Sequence, residues 1–151
     1  MEHDCKMPFI RSTQDMLETM LGISSHVNQN GSPLTEPIIT STVQLQGERP
    51  GGIRLMFPFD TAKRVVAEML GRTIDEMDDE TLIDGVGEMA NIVAGNVKAT
   101  LSEMAYSFSL TLPQVASIQE AAPVDKTFET SRLSTALGDF DLIFWLATSK
   151  S

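Results

Sequence analysis

The 151-residue chain holds a single cysteine, Cys5, so it can form no internal disulfide. Met1 to Lys6 lacks the basic-then-apolar order of an export signal, and with one cysteine a reducing cytoplasm is the expected location. No apolar run nears the ~20 residues of a membrane helix, so no membrane insertion is expected. Positive charge is scarce: 11 Lys and Arg stand against 21 Asp and Glu, a net charge of −10. That balance argues against a nucleic-acid partner.

Histidine is equally sparse, and it assembles no catalytic set. His26 is alone, and His3 with Cys5 gives two metal ligands near a terminus, too few for a site. There is no Ser–His–Asp spacing and no phosphate loop. Gly85-Val86-Gly87-Glu88-Met89-Ala90 has the spacing of a dinucleotide fingerprint. That fingerprint must follow a buried strand, whereas here the acidic run Asp75 to Glu80 and a helix start precede it, so it is rejected. Asp84 and Glu88 share a helix face, but two carboxylates without further oxygen ligands make a poor cation site. No metal site is expected.

What is present fits a soluble globular protein: 42% hydrophobic and 21% charged residues, read as one domain over 1–151. Phe9 to Leu21 has helical spacing, with Ser12 or an earlier start after Pro8, and Gly22 as a stop. Asn28 to Pro33 is a loop by composition. Pro37 to Leu45 and Ile53 to Phe57 read as strands joined by a turn. A second helix follows, capped by Asp60 or Thr61 and ended by Gly71. The acidic run then starts a long helix, about Asp79 to Glu103, since acids suit a first turn. Ser107 to Leu112 is a strand stopped at Pro113. Thr127 to Leu137 and Phe140 to Ala147 are strands joined at Gly138-Asp139. The last is apolar on both sides, so both its faces should be covered. The expected fold class is α+β: an antiparallel or mixed sheet packed on a long central helix and two further helices.

The long helix is the stretch that carries function. Ile83, Val86, Ala90, Val93, Val97, Leu101 and Met104 recur at threes and fours and form an apolar stripe. Asp84, Glu88, Asn91 and Gly95 recur in the same way on the opposite face. Most polar helix faces are merely solvated. This one is acid, acid, amide and glycine, not a Lys/Glu mixture. Gly85, Gly87 and Gly95 each cost ~1 kcal/mol of helix propensity against alanine, which suggests a need for close approach.

Glu88-x-x-Asn91, with Asp84 one turn earlier, resembles the signature of the CheC/CheX/FliY chemotaxis phosphatases. The run Val86 to Lys98 looks most like the CheX branch. Ala62 to Gly71 resembles the helix before it, and Ser109-Leu110-Thr111-Leu112-Pro113 the strand and proline after it. Glu88 is the one glutamate followed three residues later by asparagine, which is the one-site CheX arrangement. The resemblance implies that the chain removes phosphate from a CheY-like receiver, with Asn91 positioning water and Glu88 docking the receiver's lysine. Asp84, Gly95 and Lys98 would contact that partner. No cofactor of its own is implied, the Mg²⁺ belonging to the receiver. A homodimer joined through sheet edges is implied too, and the polar strand Thr127 to Leu137, with Lys126, Glu129 and Arg132, is a candidate edge. The alternative is a non-catalytic adaptor of the same fold that docks receivers or the flagellar switch.

Overall fold

The computed structural model describes residues 3–28, 32–118 and 128–147. The helices are α1 (His3–Leu21), α2 (Phe59–Leu70) and α3 (Asp79–Glu103). The strands are β1 (Ser25–Asn28), β2 (Ile38–Gly47), β3 (Gly51–Pro58), β4 (Phe108–Leu110), β5 (Gln114–Ile118), β6 (Glu129–Thr135) and β7 (Gly138–Leu146). All pairs are antiparallel, in the order β1-β6-β7-β3-β2-β4, and β5 also pairs with β2. The expected α+β class is what the chain adopts.

Alternation along the strands decides the layers. Ile39, Val43 and Leu45 of β2, Ile53, Leu55 and Phe57 of β3, and Phe140, Leu142 and Phe144 of β7 point to the helices and form the main core. There Phe9 of α1 stacks on Phe144 at 4.8 Å, and Phe57 stacks on Phe140 at 4.6 Å. The opposite face carries a smaller cluster of Ile38, Met56 and Ile143, with Leu34, Phe128 and Trp145 packed against it. So β7, lying between β6 and β3, is indeed buried on both faces, Ile143 being 1% exposed.

Several expectations need correction. Helix α1 starts at His3 and carries Pro8 inside it, so Ser12 is a buried interior residue and not a cap. Helix α2 starts at Phe59 after Pro58, with no side-chain cap bond; Asp60 and Thr61 sit in its first turn. Backbone takes the cap's place, since the Phe59 N–H donates to the Pro37 carbonyl at 3.0 Å. Strand β1 was not anticipated. Residues Ala136 and Leu137 make the β6–β7 turn, and Gly138 already pairs with Thr135. Strand β6 is no edge, because β1 and β7 pair with its two sides. Its charges are matched within the chain, Arg132 by Asp141 and Glu129 by Lys6 at 3.3 Å. Gln29 to Gly31, Lys126, Thr127 and the His3 side chain lie outside the described residues.

Where β2 meets its outer neighbours the register slips by one. Leu45 pairs with Leu110, but Thr42 pairs with Gln114. Val43 and Gln44 therefore face three residues, Thr111, Leu112 and Pro113, which is a one-residue bulge. Strands β4 and β5 are one edge strand bent at this point. The Thr111 N–H donates to the Gln44 carbonyl at 3.0 Å, and the Gln44 N–H donates to the Thr111 hydroxyl at 2.9 Å. A proline, which has no N–H to give, is tolerated at such an edge.

Candidate functional site

Helix α3 begins where the acids were expected to start it. Glu76 closes a reciprocal cap with Thr73, accepting from its N–H at 2.9 Å and its hydroxyl at 3.0 Å. Asp78 caps α3 itself, its carboxylate accepting the Thr81 N–H at 2.8 Å. These bonds hold the Glu76 and Asp78 carboxyls below the usual carboxylate range, with the Arg72 charge adding a little.

The inner face of α3 is core. Leu82, Val86, Met89, Ala90, Val93, Val97 and Leu101 are all buried. Two members of the expected stripe are not. Ile83 is 46% exposed and Met104 is 37% exposed. Ile83 lies at the border of the buried arc, and Met104 is the C-cap, where the helix has ended. Leu82 and Met89 fill the stripe instead.

The outer face carries Asp84, Glu88, Asn91 and Lys98, all exposed, with Gly95 half-buried among them. None of these four side chains has a hydrogen-bond or ion-pair partner among the described residues. A carboxylate and a carboxamide three residues apart thus stand on one side of a helix that is anchored below. The carboxylate offers acceptor oxygens only, and the amide offers one acceptor and two donor hydrogens.

The three glycines part company. A Cβ on Gly85 would lie 2.6 Å from Cγ1 of Val66, so the close approach there is between α3 and α2. A Cβ on Gly87 would meet Val115 at 3.5 Å and Pro113 at 3.7 Å, which is ordinary contact with the edge strand. Gly95 faces open space, and it alone is free for a partner. The strand expected to stop at Pro113 resumes beyond it as β5, and the bulge between lies beside this face. The signal was there, because a proline between two strand-like runs marks an edge or a bulge.

Cys5 is 1% exposed, with its Sγ 4.0 Å from Nη1 of Arg49. Among the described residues, no group of three or more His, Cys, Asp or Glu could hold a metal ion, and no helix is long and apolar enough to cross a membrane.

A family model described as "Chemotaxis phosphatase CheX" matches residues 39–130, a span that contains Asp84, Glu88, Asn91, Gly95 and Lys98. No curated protein matches the sequence. Among solved structures, a CheX from Desulfovibrio desulfuricans is 28% identical with a TM-score of 0.76, the match covering 95% of this chain and 99% of that one. A CheX from Vibrio vulnificus is 22% identical with a TM-score of 0.80, over 95% and 96% of the two chains. A structure from Borrelia burgdorferi, a CheX–CheY complex with BeF₃ and Mg²⁺, matches at 22% identity and a TM-score of 0.74, over 97% and 99%. With the family model spanning more than half of its length, the chain belongs to the family of the chemotaxis phosphatase CheX.

Proposed function

We propose that the chain hydrolyses the aspartyl phosphate of a CheY-like receiver domain. Asn91 holds the attacking water, and Glu88 pairs with the receiver's active-site lysine. The observation that carries this reading is the exposed pair itself. Glu88 and Asn91 share the outer face of α3, and neither has a partner among the described residues. Family membership supports it, as does the Borrelia burgdorferi relative's complex with CheY.

An acyl phosphate is reactive without further activation, and the receiver's Mg²⁺ and lysine neutralise its charge. What the phosphatase adds is geometry: one water held in line with the bond between phosphorus and the aspartate oxygen. The Asn91 side-chain oxygen accepts from that water, and its NH₂ donates nearby. The water oxygen attacks phosphorus, the bond to the aspartate breaks with its electron pair left on the carboxylate, and both hydrogens of the water leave with the inorganic phosphate. Glu88 fixes the docking angle through a charge-assisted bond. Asp84 and Lys98 flank the contact, and Gly95 admits the receiver's surface. The reaction takes place in the cytoplasm and uses no cofactor of the phosphatase.

The chain acts as a homodimer joined at a sheet edge. Among the described strands the edges are β1 and the bent strand β4–β5, and a joint at β1 leaves the β4–β5 edge open.

The test is the decay of phosphate from a phosphorylated CheY-like receiver with and without the protein. Wild type speeds it, and Asn91→Ala removes most of the gain. A wild type that binds the phosphorylated receiver and leaves its decay unchanged would establish the adaptor instead.

A further inference from the structure

The exposed large hydrophobic residues are not evenly placed. Among the described residues, Leu112 is 85% exposed, while the next most exposed, Ile74, is 48%. Leu112 is the middle residue of the bulge, and the residue after it, Pro113, sits against α3 at Gly87. Gly87 directly precedes Glu88 and lies one turn before Asn91. The bulge thus holds an apolar side chain in solvent, next in the chain to a proline that packs on α3 one residue before Glu88. Beside it, Ile83 and Val115 line a mostly apolar groove of about 310 Å³ with Leu82, Ile39 and Phe59, and with Asp79 and Ser117 as its polar members.

A bulge that only protects the sheet edge from pairing does so by kinking it, and natural edges add charge, most often lysine. This one presents a leucine. The bulge is stitched to β2 through two bonds between Thr111 and Gln44, which hold its backbone in place. Nothing in the described chain buries the leucine.

We propose that Leu112 is a docking residue for the receiver domain, an apolar contact on the flank of α3 that sets the receiver's orientation over Asn91. The inference rests on the receiver-phosphatase reading, and it is continuous with that surface through Pro113 and Gly87. Leu112 touches no reacting atom, so it is a positioning residue. Its loss acts on affinity and leaves the chemical step intact.

The probe is a CheY-like receiver charged with beryllofluoride and Mg²⁺ for binding, and with phosphate for turnover. Wild type, Leu112→Ser and Asn91→Ala are compared, each checked by melting temperature. Leu112→Ser should melt with wild type, because the side chain is already in water. Its Kd and KM should rise about tenfold, the factor that follows from losing part of one leucine's burial. Its kcat at saturating receiver should stay within about twofold of wild type. A Kd within about twofold of wild type overturns the proposal and leaves the phosphatase reading standing. The reverse result, weak docking by Leu112→Ser but undiminished turnover by Asn91→Ala, upholds the docking residue and removes Asn91 from the mechanism. An unchanged Kd with a halved mass in light scattering would assign Leu112 to contact between copies of the chain, and overturns the proposal too.

Discussion

Alanine placed singly at Gly85 and at Gly95 should move stability in opposite directions, although both glycines lie in the interior of the same helix. In an unhindered helix the exchange gains roughly 0.8–1 kcal/mol, because glycine gives up more backbone freedom on folding. Gly95 has nothing within 4 Å of the added Cβ, so the gain should be realised in full. At Gly85 the Cβ would lie 2.6 Å from Cγ1 and 2.8 Å from Cγ2 of Val66. Both are about 1 Å inside the contact optimum of ~3.5–4.0 Å between carbons. Val66 is fully buried, and a β-branched side chain on a helix has essentially one rotamer, so it cannot swing aside. Overpacking of this kind costs ~1–3 kcal/mol. Set against the propensity gain, Gly85→Ala should destabilise by up to about 2 kcal/mol. Urea unfolding followed by circular dichroism measures both variants, with m unchanged if the comparison is sound. In a chain of this size each kcal/mol moves Tm by roughly 2–4 °C. A Gly85→Ala protein stabilised as much as Gly95→Ala would refute the reasoning, since it would mean that α2 slides freely over α3.

Asn91→Ala should cut kcat for receiver dephosphorylation about 100-fold or more while Kd stays close to wild type, as single-turnover rates and binding together would show. Glu88→Lys should weaken receiver binding about tenfold or more, and raised salt should weaken wild type too; a Glu88→Lys protein that binds as tightly as wild type removes the assigned ion pair. Asp78 has a lowered pKa in the fold, so it binds a proton less readily folded than unfolded. Its contribution is therefore present above the ordinary carboxylate range and lost as pH falls through the lowered value; Asp78→Ala should lower Tm at neutral pH and should lose less than wild type on going to about pH 3, in melts across that range. Light scattering should give a dimer mass at ~10–100 μM, and a monomer there would end the dimer proposal.

The long helix was legible because its two signals agree. Apolar residues recur at helical spacing, and acids stand where a helix begins, so the expected bounds Asp79 to Glu103 are those found. Asp84, Glu88 and Asn91 followed from the same period and are exposed, with Gly95 half-buried among them, while Lys98 came from the resemblance and lies exposed as well. The edges of the fold were harder to read. Strand β1 is four residues with no alternation of its own, and among the described strands it pairs with β6. The charges of β6 suggested an edge, yet they pair across strands and to α1, and charge content cannot tell a solvent-facing ion from a matched one. The start of α2 was misread because Asp60 and Thr61 are good caps, whereas the Pro37 carbonyl, distant in sequence, does the capping. The bulge needs two registers compared, and one strand's sequence holds only half of that information.

The residues proposed for the chemistry stand on the outside of the helix whose inside is the core. Amide protons along α3 should accordingly be among the slowest in the chain to exchange with deuterated water, because releasing them requires the whole unit to open. A site so mounted has no hinge and no separate loosening of its own. Activity measured across a urea gradient should fall along the same curve as helicity, with each folded molecule turning over at an undiminished rate until it unfolds.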